Sequence, residues 1–259
     1  VVNVDDPYGK MISKKTSAET ITIGIIEKSD VHTRNIETSI NGIQFTAKTP
    51  KGEVQIVSGL MGRHNVYNIL CAIGTGLALD ISLEEIKRGI GSLQNVPGRL
   101  EKIDEGQSFT VVVDYAHTDD ALKNLLKAAK ELTGKRLILV FGCGGNRDKG
   151  KRAKMGKIAG EYSDYTIITS DNPRNEEPAS IASEIEQGIK KVAGSGKYSL
   201  ILDRMKAIRQ AINLAGEEDF VVIAGKGHEN YQLFKDRRIH FDDFETVRKL
   251  IKEKLSMIN

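Results

Sequence analysis

At 259 residues, with 39% hydrophobic and 28% charged side chains, the chain is long enough for one large or two ordinary domains around a buried core, and its composition is that of a soluble globular protein. A net charge of +3 favours anionic ligands such as nucleotides but is too small and too dispersed to argue for a nucleic-acid partner. No apolar run reaches the length of a membrane span and no signal peptide opens the chain, which argues against a membrane; Cys71 and Cys143 form no metal or disulfide pattern and fit a reducing cytoplasm.

Val1 to Val4 reads as a buried strand of an α/β sheet, ending in the carboxylates and turn of Asp5-Asp6-Pro7-Tyr8-Gly9. Because it starts inside that strand, without a methionine, the chain is expected to be a piece of a longer one. Ile21 to Ile25 reads as a second strand. Ile36 to Thr46 alternates apolar and polar residues around the hairpin dipeptide Asn41-Gly42, and Gly52 to Val57 adds another alternating stretch, so this part is expected to be antiparallel. Helices are predicted over Val66 to Leu79 and from Ser82, capped with Glu84 and Glu85 behind it, to about Gly91. Asn95-Val96-Pro97-Gly98-Arg99 then marks a domain boundary, giving residues 1–95 and 96–259.

Beyond the boundary strands and helices alternate. Strands are predicted at Thr110–Asp114, Arg136–Phe141, Tyr165–Ser170, Tyr198–Leu202 and Phe220–Ala224. Helices are predicted at Asp119–Leu132, Arg152–Tyr162, Pro178–Val192, Met205–Ala215 and Val247–Leu255. The alternation implies a doubly wound α/β sheet with helices on both faces.

Ligands of such sheets bind beyond the carboxyl ends of the strands, and four segments place polar residues there: Asp114-Tyr115-Ala116-His117, Gly142 to Lys149, Asp171-Asn172-Pro173-Arg174 and Gly225-Lys226-Gly227-His228-Glu229. Gly142-Cys143-Gly144-Gly145 is neither a complete GxGxxG fingerprint nor a phosphate loop, and alone it suits a structural turn as well as a ligand cradle. Arg174 could offer a paired fork to a carboxylate and Asn172 can donate and accept, although a plain Asx-Pro turn reads equally well. Glu229 could receive an ammonium or cap a helix start. Spacing alone does not decide whether His117 and His228 are acid–base groups or structural. Two arginines and a glutamate together suit an amino acid, carboxylate to arginine and ammonium to glutamate.

Six motifs follow in the order seen in Mur ligases: Gly62-Arg63-His64-Asn65-Val66-Tyr67-Asn68, Pro97-Gly98-Arg99, Asp114 to Thr118, Phe141 to Asp148, Asp171 to Arg174 and Gly225 to Glu229. The chain resembles that family over nearly its whole length. The resemblance implies a Rossmann-like C-terminal domain preceded by a truncated α/β ATP-binding domain. It implies ATP-dependent joining of meso-diaminopimelate to a UDP-N-acetylmuramoyl dipeptide through an acyl phosphate, with Mg²⁺ as a cofactor. By the same resemblance Arg147, Asp171, Asn172, Arg174, Gly225 and Glu229 hold diaminopimelate. Asn65 and Asn68 approach adenine, Arg99 and Asp114 lie near the ATP ribose and phosphates, and His117 joins Asp114 at the reacting phosphates. The family's phosphate loop, its magnesium-holding carboxylates and modified lysine, and its uridine-nucleotide domain are expected upstream of Val1, so no metal ligand is assigned within this chain. Asp119 stands where the family usually has proline, a helix-start position that tolerates both. Two other readings remain open: a stand-alone amino-acid-binding module on the ligase fold, and a related ligase of folylpolyglutamate or lysine-adding type.

Overall fold

The computed structural model describes residues 1–257 other than Ser195. They form two compact units, Val1–Val96 and Pro97–Asn259. The first unit opens with β1 (Val2–Asn3), α1 (Pro7–Lys15), β2 (Thr22–Gly24) and β3 (Val31–Ser39). It continues through β4 (Gly42–Thr49), β5 (Gly52–Ser58), α2 (His64–Ala78) and α3 (Leu83–Ser92). The strands form one sheet in chain order, parallel from β1 to β3 and antiparallel from β3 to β5. Its core sets Ile23, Val31, Ile43, Phe45 and Ile56 of the strands against Val66, Ile69, Leu70 and Ile73 of α2.

The opening differs from its sequence reading in two ways. The first strand has two half-buried residues rather than four buried ones. The supposed turn at Asp5 to Gly9 is a helix start. The Asp6 carboxylate accepts from the N–H groups of Tyr8 (2.7 Å) and Gly9 (3.3 Å), and Pro7 stands at a first helical position, where its missing N–H is not needed. Ser82 and Glu85 form the reciprocal cap expected of α3.

The second unit begins with β6 (Glu101–Ile103), β7 (Thr110–Asp114), α4 (Asp119–Leu132), β8 (Leu137–Phe141) and α5 (Gly150–Tyr162). Next come β9 (Tyr165–Ile168), α6 (Pro178–Ile189), β10 (Tyr198–Leu200), α7 (Arg204–Leu214) and β11 (Phe220–Ala224). A hairpin of β12 (Tyr231–Leu233) and β13 (Arg238–His240) leads to the helix α8 (Asp243–Ser256). The six-stranded sheet has the order β10-β9-β8-β11-β7-β6, parallel except for β6. Alternate strand residues Val111, Val113, Ile138, Val140, Val221 and Ile223 pack with Ile208 and Ile212 of α7 and Val247 and Ile251 of α8. The intervening Val112, Leu139, Phe141 and Val222 face the other side, where α4, α5 and α6 bring the buried Leu122, Leu126, Met155 and Ile185. Each such side chain contributes roughly 1.5–3 kcal/mol by leaving water.

The last strand laid down, β11, fills the place between β7 and β8. Register leaves the strand ends level: Ala224 pairs with Asp114, Ile223 with Val140, and Phe141 with Ile168. Beneath that edge Arg204 and Asp243, both fully buried, pair through two bonds of 2.7 Å. Arg204 also donates to the carbonyls of Ala224 (3.1 Å) and Ser170 (3.5 Å), at the ends of β11 and β9. Burial alone would lower its pKa, but Asp243 outweighs burial and holds the guanidinium above its ordinary value. Among the described residues no helix is long and apolar enough to cross a membrane.

Asp243→Ala strands this buried guanidinium and is expected to cost about 3–5 kcal/mol in urea unfolding. Removing the exposed partner in the Lys157–Glu161 pair (3.5 Å) by Lys157→Ala is expected to change stability by less than about 0.5 kcal/mol. Similar small losses for both would contradict the clamp.

Candidate functional site

Parallel strands bring the loops after β7, β11, β8 and β9 to one edge in that spatial order. The loop after β8 lies along the turn after β9 at backbone contact. Gly145 N–H donates to the Asn172 carbonyl (2.9 Å), and a Cβ on Gly145 would stand 1.9 Å from the Pro173 carbonyl oxygen. One on Gly142 would stand 2.2 Å from that of Thr169. These two glycines are therefore required by loop-to-loop packing. Gly144 faces the arginines instead: a Cβ there would lie 2.9 Å from Arg174 Nη1 and 3.8 Å from Arg147 Cγ. Arg174, in the left-handed region at φ 53°, donates Nη1–H to the Gly145 carbonyl at 2.8 Å. Arg147 is exposed and makes no hydrogen bond or ion pair among the described residues.

The loop after β11 meets the same turn. Gly225 takes φ 116° and donates its N–H to the Asp114 carbonyl at 3.0 Å. Lys226, fully buried, points its Nζ at Asp171 Oδ1 (3.4 Å), Asn172 Oδ1 (3.3 Å) and Glu229 Oε2 (3.4 Å). Asn172 Nδ2 donates to Glu229 Oε2 at 2.8 Å, while its Oδ1 accepts Leu233 N–H at 3.0 Å. Glu229 therefore caps no helix; β12 follows it, and Leu233 returns to the turn by accepting Arg174 N–H at 2.9 Å. Asp171, Asn172, Arg174, Gly225, Glu229 and Arg147 are thus gathered at the ends of three neighbouring strands.

The loop carrying Arg147 is tied down by Glu176. Its carboxylate takes Arg152 Nη1 and Nη2 (2.9 and 3.0 Å), the Asn146 N–H (2.6 Å) and Lys149 (3.4 Å). The Arg152 bonds, then the Asn146 N–H, outweigh burial and, helped by Lys149, hold Glu176 at about 2 against its ordinary 4.5. Arg152 has no side-chain exposure and also meets Glu184 at 3.1 Å.

The other expected residues fall into two groups. In the second unit the Asp114 carboxylate accepts the N–H groups of Leu100 and Ala116, each at 2.8 Å, and so holds the segment bearing Arg99. Arg99 is exposed, its guanidinium 5.2 Å from the centre of the Tyr115 ring. His117 is exposed with Nδ1 2.9 Å from the Tyr115 carbonyl; a carbonyl only accepts, so Nδ1 carries a proton, and Nε2 is turned from that contact. In the first unit Asn65 is buried and bonds to the Met61 carbonyl (2.7 Å), and the exposed Asn68 donates to Asn65 Oδ1 (2.8 Å). Among the described residues no group of three or more His, Cys, Asp or Glu is disposed to hold a metal ion.

The expected set lacked Lys226, Glu176, Arg152 and Arg204. The available signal for Lys226 was a lysine between two glycines directly after an apolar strand; the other three carry no local mark.

Residues 98–227 match the family described as the Mur ligase glutamate ligase domain, and residues 1–76 the Mur ligase middle domain. Over 252 residues the chain is 45% identical to UDP-N-acetylmuramoyl-L-alanyl-D-glutamate–2,6-diaminopimelate ligase of Solibacter usitatus, covering 97% of this chain and 51% of that one. A solved structure of a ligase of the same name superposes with a TM-score of 0.70 at 35% identity, over 98% of this chain and 53% of the other. The MurF ligase of Thermotoga maritima in complex with ADP shares the fold, with a TM-score of 0.67 at 16% identity over 98% of this chain and 53% of that one. The chain spans about half the length of the curated relatives it matches.

Glu176 supplies a pH signature. A carboxyl held below its unfolded value adds stability that is complete above about pH 4.5 and is lost as pH falls through about 2. In urea unfolding, Glu176→Gln is expected to be less stable than the parent at pH 7, with the gap shrinking between pH 4.5 and 2. A gap independent of pH would contradict the assignment.

Proposed function

The chain belongs to the Mur ligase family, and from that premise we propose that its second unit holds the amino acid in an ATP-dependent amide ligation, with meso-diaminopimelate as that amino acid. The observation that carries this reading is the pairing of opposite charges at one edge. Arg174 and Arg147 both flank Gly144, while Asp171 and Glu229 gather at Lys226 beside them. The far end of meso-diaminopimelate bears a carboxylate and an ammonium together, and guanidinium and carboxylate groups can meet both. Lysine lacks that carboxylate and would leave an arginine without a partner.

In this reading the nucleotide-linked substrate is a UDP-N-acetylmuramoyl-L-alanyl-D-glutamate and the compartment is the cytoplasm. ATP gives its γ-phosphoryl group to the D-glutamyl carboxylate. The free amine of diaminopimelate then attacks the acyl carbon, phosphate leaves, and the amine loses a proton. Residues of this chain contribute mainly by position, since holding amine and carbonyl in reach removes much of the entropic barrier. Asn65, Asn68 and Arg99 are assigned to the nucleotide. Asp114 holds the backbone that carries Arg99, and His117 is assigned to the reacting phosphates. Magnesium would supply charge neutralisation at those phosphates.

Calorimetry of this chain with meso-diaminopimelate and with L-lysine tests the assignment. The former is expected to bind about tenfold or more tightly, and Arg174→Ala is expected to remove the difference. Equal binding of both by the folded parent would count against it.

A further inference from the structure

The side chain of Lys226 is 0% exposed, so a molecule entering the site does not touch it. Its ammonium sits among three oxygens of Asp171, Asn172 and Glu229 at 3.3–3.4 Å, longer than a single charge-assisted bond of about 2.7–2.9 Å. The Tyr231 ring, centred 5.4 Å away, is also near the ammonium. Lys226 thus draws the turn after β9 and its own loop together without being committed to one oxygen.

Glu229 has two unlike oxygens. Oε2 accepts from Asn172 Nδ2 at 2.8 Å and faces Lys226 at 3.4 Å. Oε1 accepts no hydrogen bond among the described residues, and the side chain keeps 22% of its surface exposed. Burying an ammonium is costly unless charges meet it. Here the compensating charges, Asp171 and Glu229, are the groups assigned to the ligand, so the geometry of one function fixes that of the other.

We infer that Lys226 is a positioning residue for amino-acid recognition: through Glu229 and Asn172 it fixes Glu229 Oε1 as the oxygen offered to the ligand ammonium, and it cancels one of the two negative charges that Asp171 and Glu229 bring. The remaining negative charge matches one ammonium. This role rests on the amino-acid reading of the site.

The test is a double-mutant cycle on meso-diaminopimelate binding with Lys226→Met, Glu229→Gln and the pair. It is read beside the side-chain amide signals of Asn172 in heteronuclear NMR spectra. Lys226→Met is expected to weaken binding about tenfold, and the pair is expected to lose no more than Glu229→Gln alone. The Asn172 side-chain amide is expected to shift and lose exchange protection as its bond to Glu229 is released. Effects that multiply in the pair, or an Asn172 amide unmoved by Lys226→Met, would overturn the positioning role. Lys226→Met leaves Asp171 and Glu229 without their buried counter-charge, so Lys226→Met/Asp171→Asn, in which a lost cation is matched by a lost anion, is compared with Asp171→Asn and must show the same Asn172 response. If the parent binds no meso-diaminopimelate while Asn172 still responds, the ligand reading fails and the hold on Glu229 stands.

Discussion

An ammonium shut away from water must be surrounded by oxygens, and Lys226 imposes that demand where the strand ends of the second unit meet. Asp171 and Asn172 answer it from the turn after β9, and Glu229 from the loop after β11. The same constraint recurs on both sides. Arg204, paired with Asp243, holds the Ser170 and Ala224 carbonyls just beneath the site. Arg152, paired with Glu176, pins the loop that displays Arg147. Buried ion pairs are a poor source of net stability compared with apolar residues of the same volume, yet breaking one is expensive. Here they tie segments together: Lys226 and Arg204 each join the end of β11 to that of β9 across the intervening β8, and Glu176 with Arg152 joins the loop after β8 to the segment after β9.

Fixed placement is what the proposed ligation asks of this unit. Under the proposed function its part is to hold an amine in reach of an activated carbonyl, where small displacements are costly in rate. The level strand ends set the coarse position. Gly142 and Gly145 then let the loop after β8 lie against the turn after β9 with no side chain between them. Arg174, in a left-handed conformation, turns its guanidinium back onto that loop. The glycine run, which suited a turn and a cradle equally as sequence, is divided in the structure: two glycines serve packing, and Gly144 gives room to the arginines.

Legibility from sequence followed interaction range. Thr110–Asp114, Asp119–Leu132 and Phe220–Ala224 coincide with β7, α4 and β11, because an apolar run or a capped amphipathic period is a local signal. The start of α1 is ambiguous in sequence because Asp-Asp-Pro serves a turn and a helix cap alike. The three-residue strands β12 and β13 are too short to show a period, and β12 is held by a partner far off in the chain, through the Leu233 N–H on Asn172 Oδ1. The site was visible where polar residues follow buried strands. Its supports were not: Arg152 lies in the run Gly150-Lys151-Arg152-Ala153-Lys154, where nothing distinguishes the fully buried cation from the half-buried Lys151 and the exposed Lys154. Lys226 sits in a segment that the sequence marks as polar and glycine-rich, but its burial shows only once Asp171, Asn172 and Glu229 are seen around it.

In the proposed function one amino acid is received at the joined ends of β8, β9 and β11. Backbone amide shift mapping during titration with meso-diaminopimelate tests it most directly. Perturbations are expected to concentrate at residues 144–147, 171–174 and 225–229, with the interior of the sheet and residues 1–96 nearly still. Saturable perturbations centred elsewhere, or spread evenly over the second unit, would contradict it.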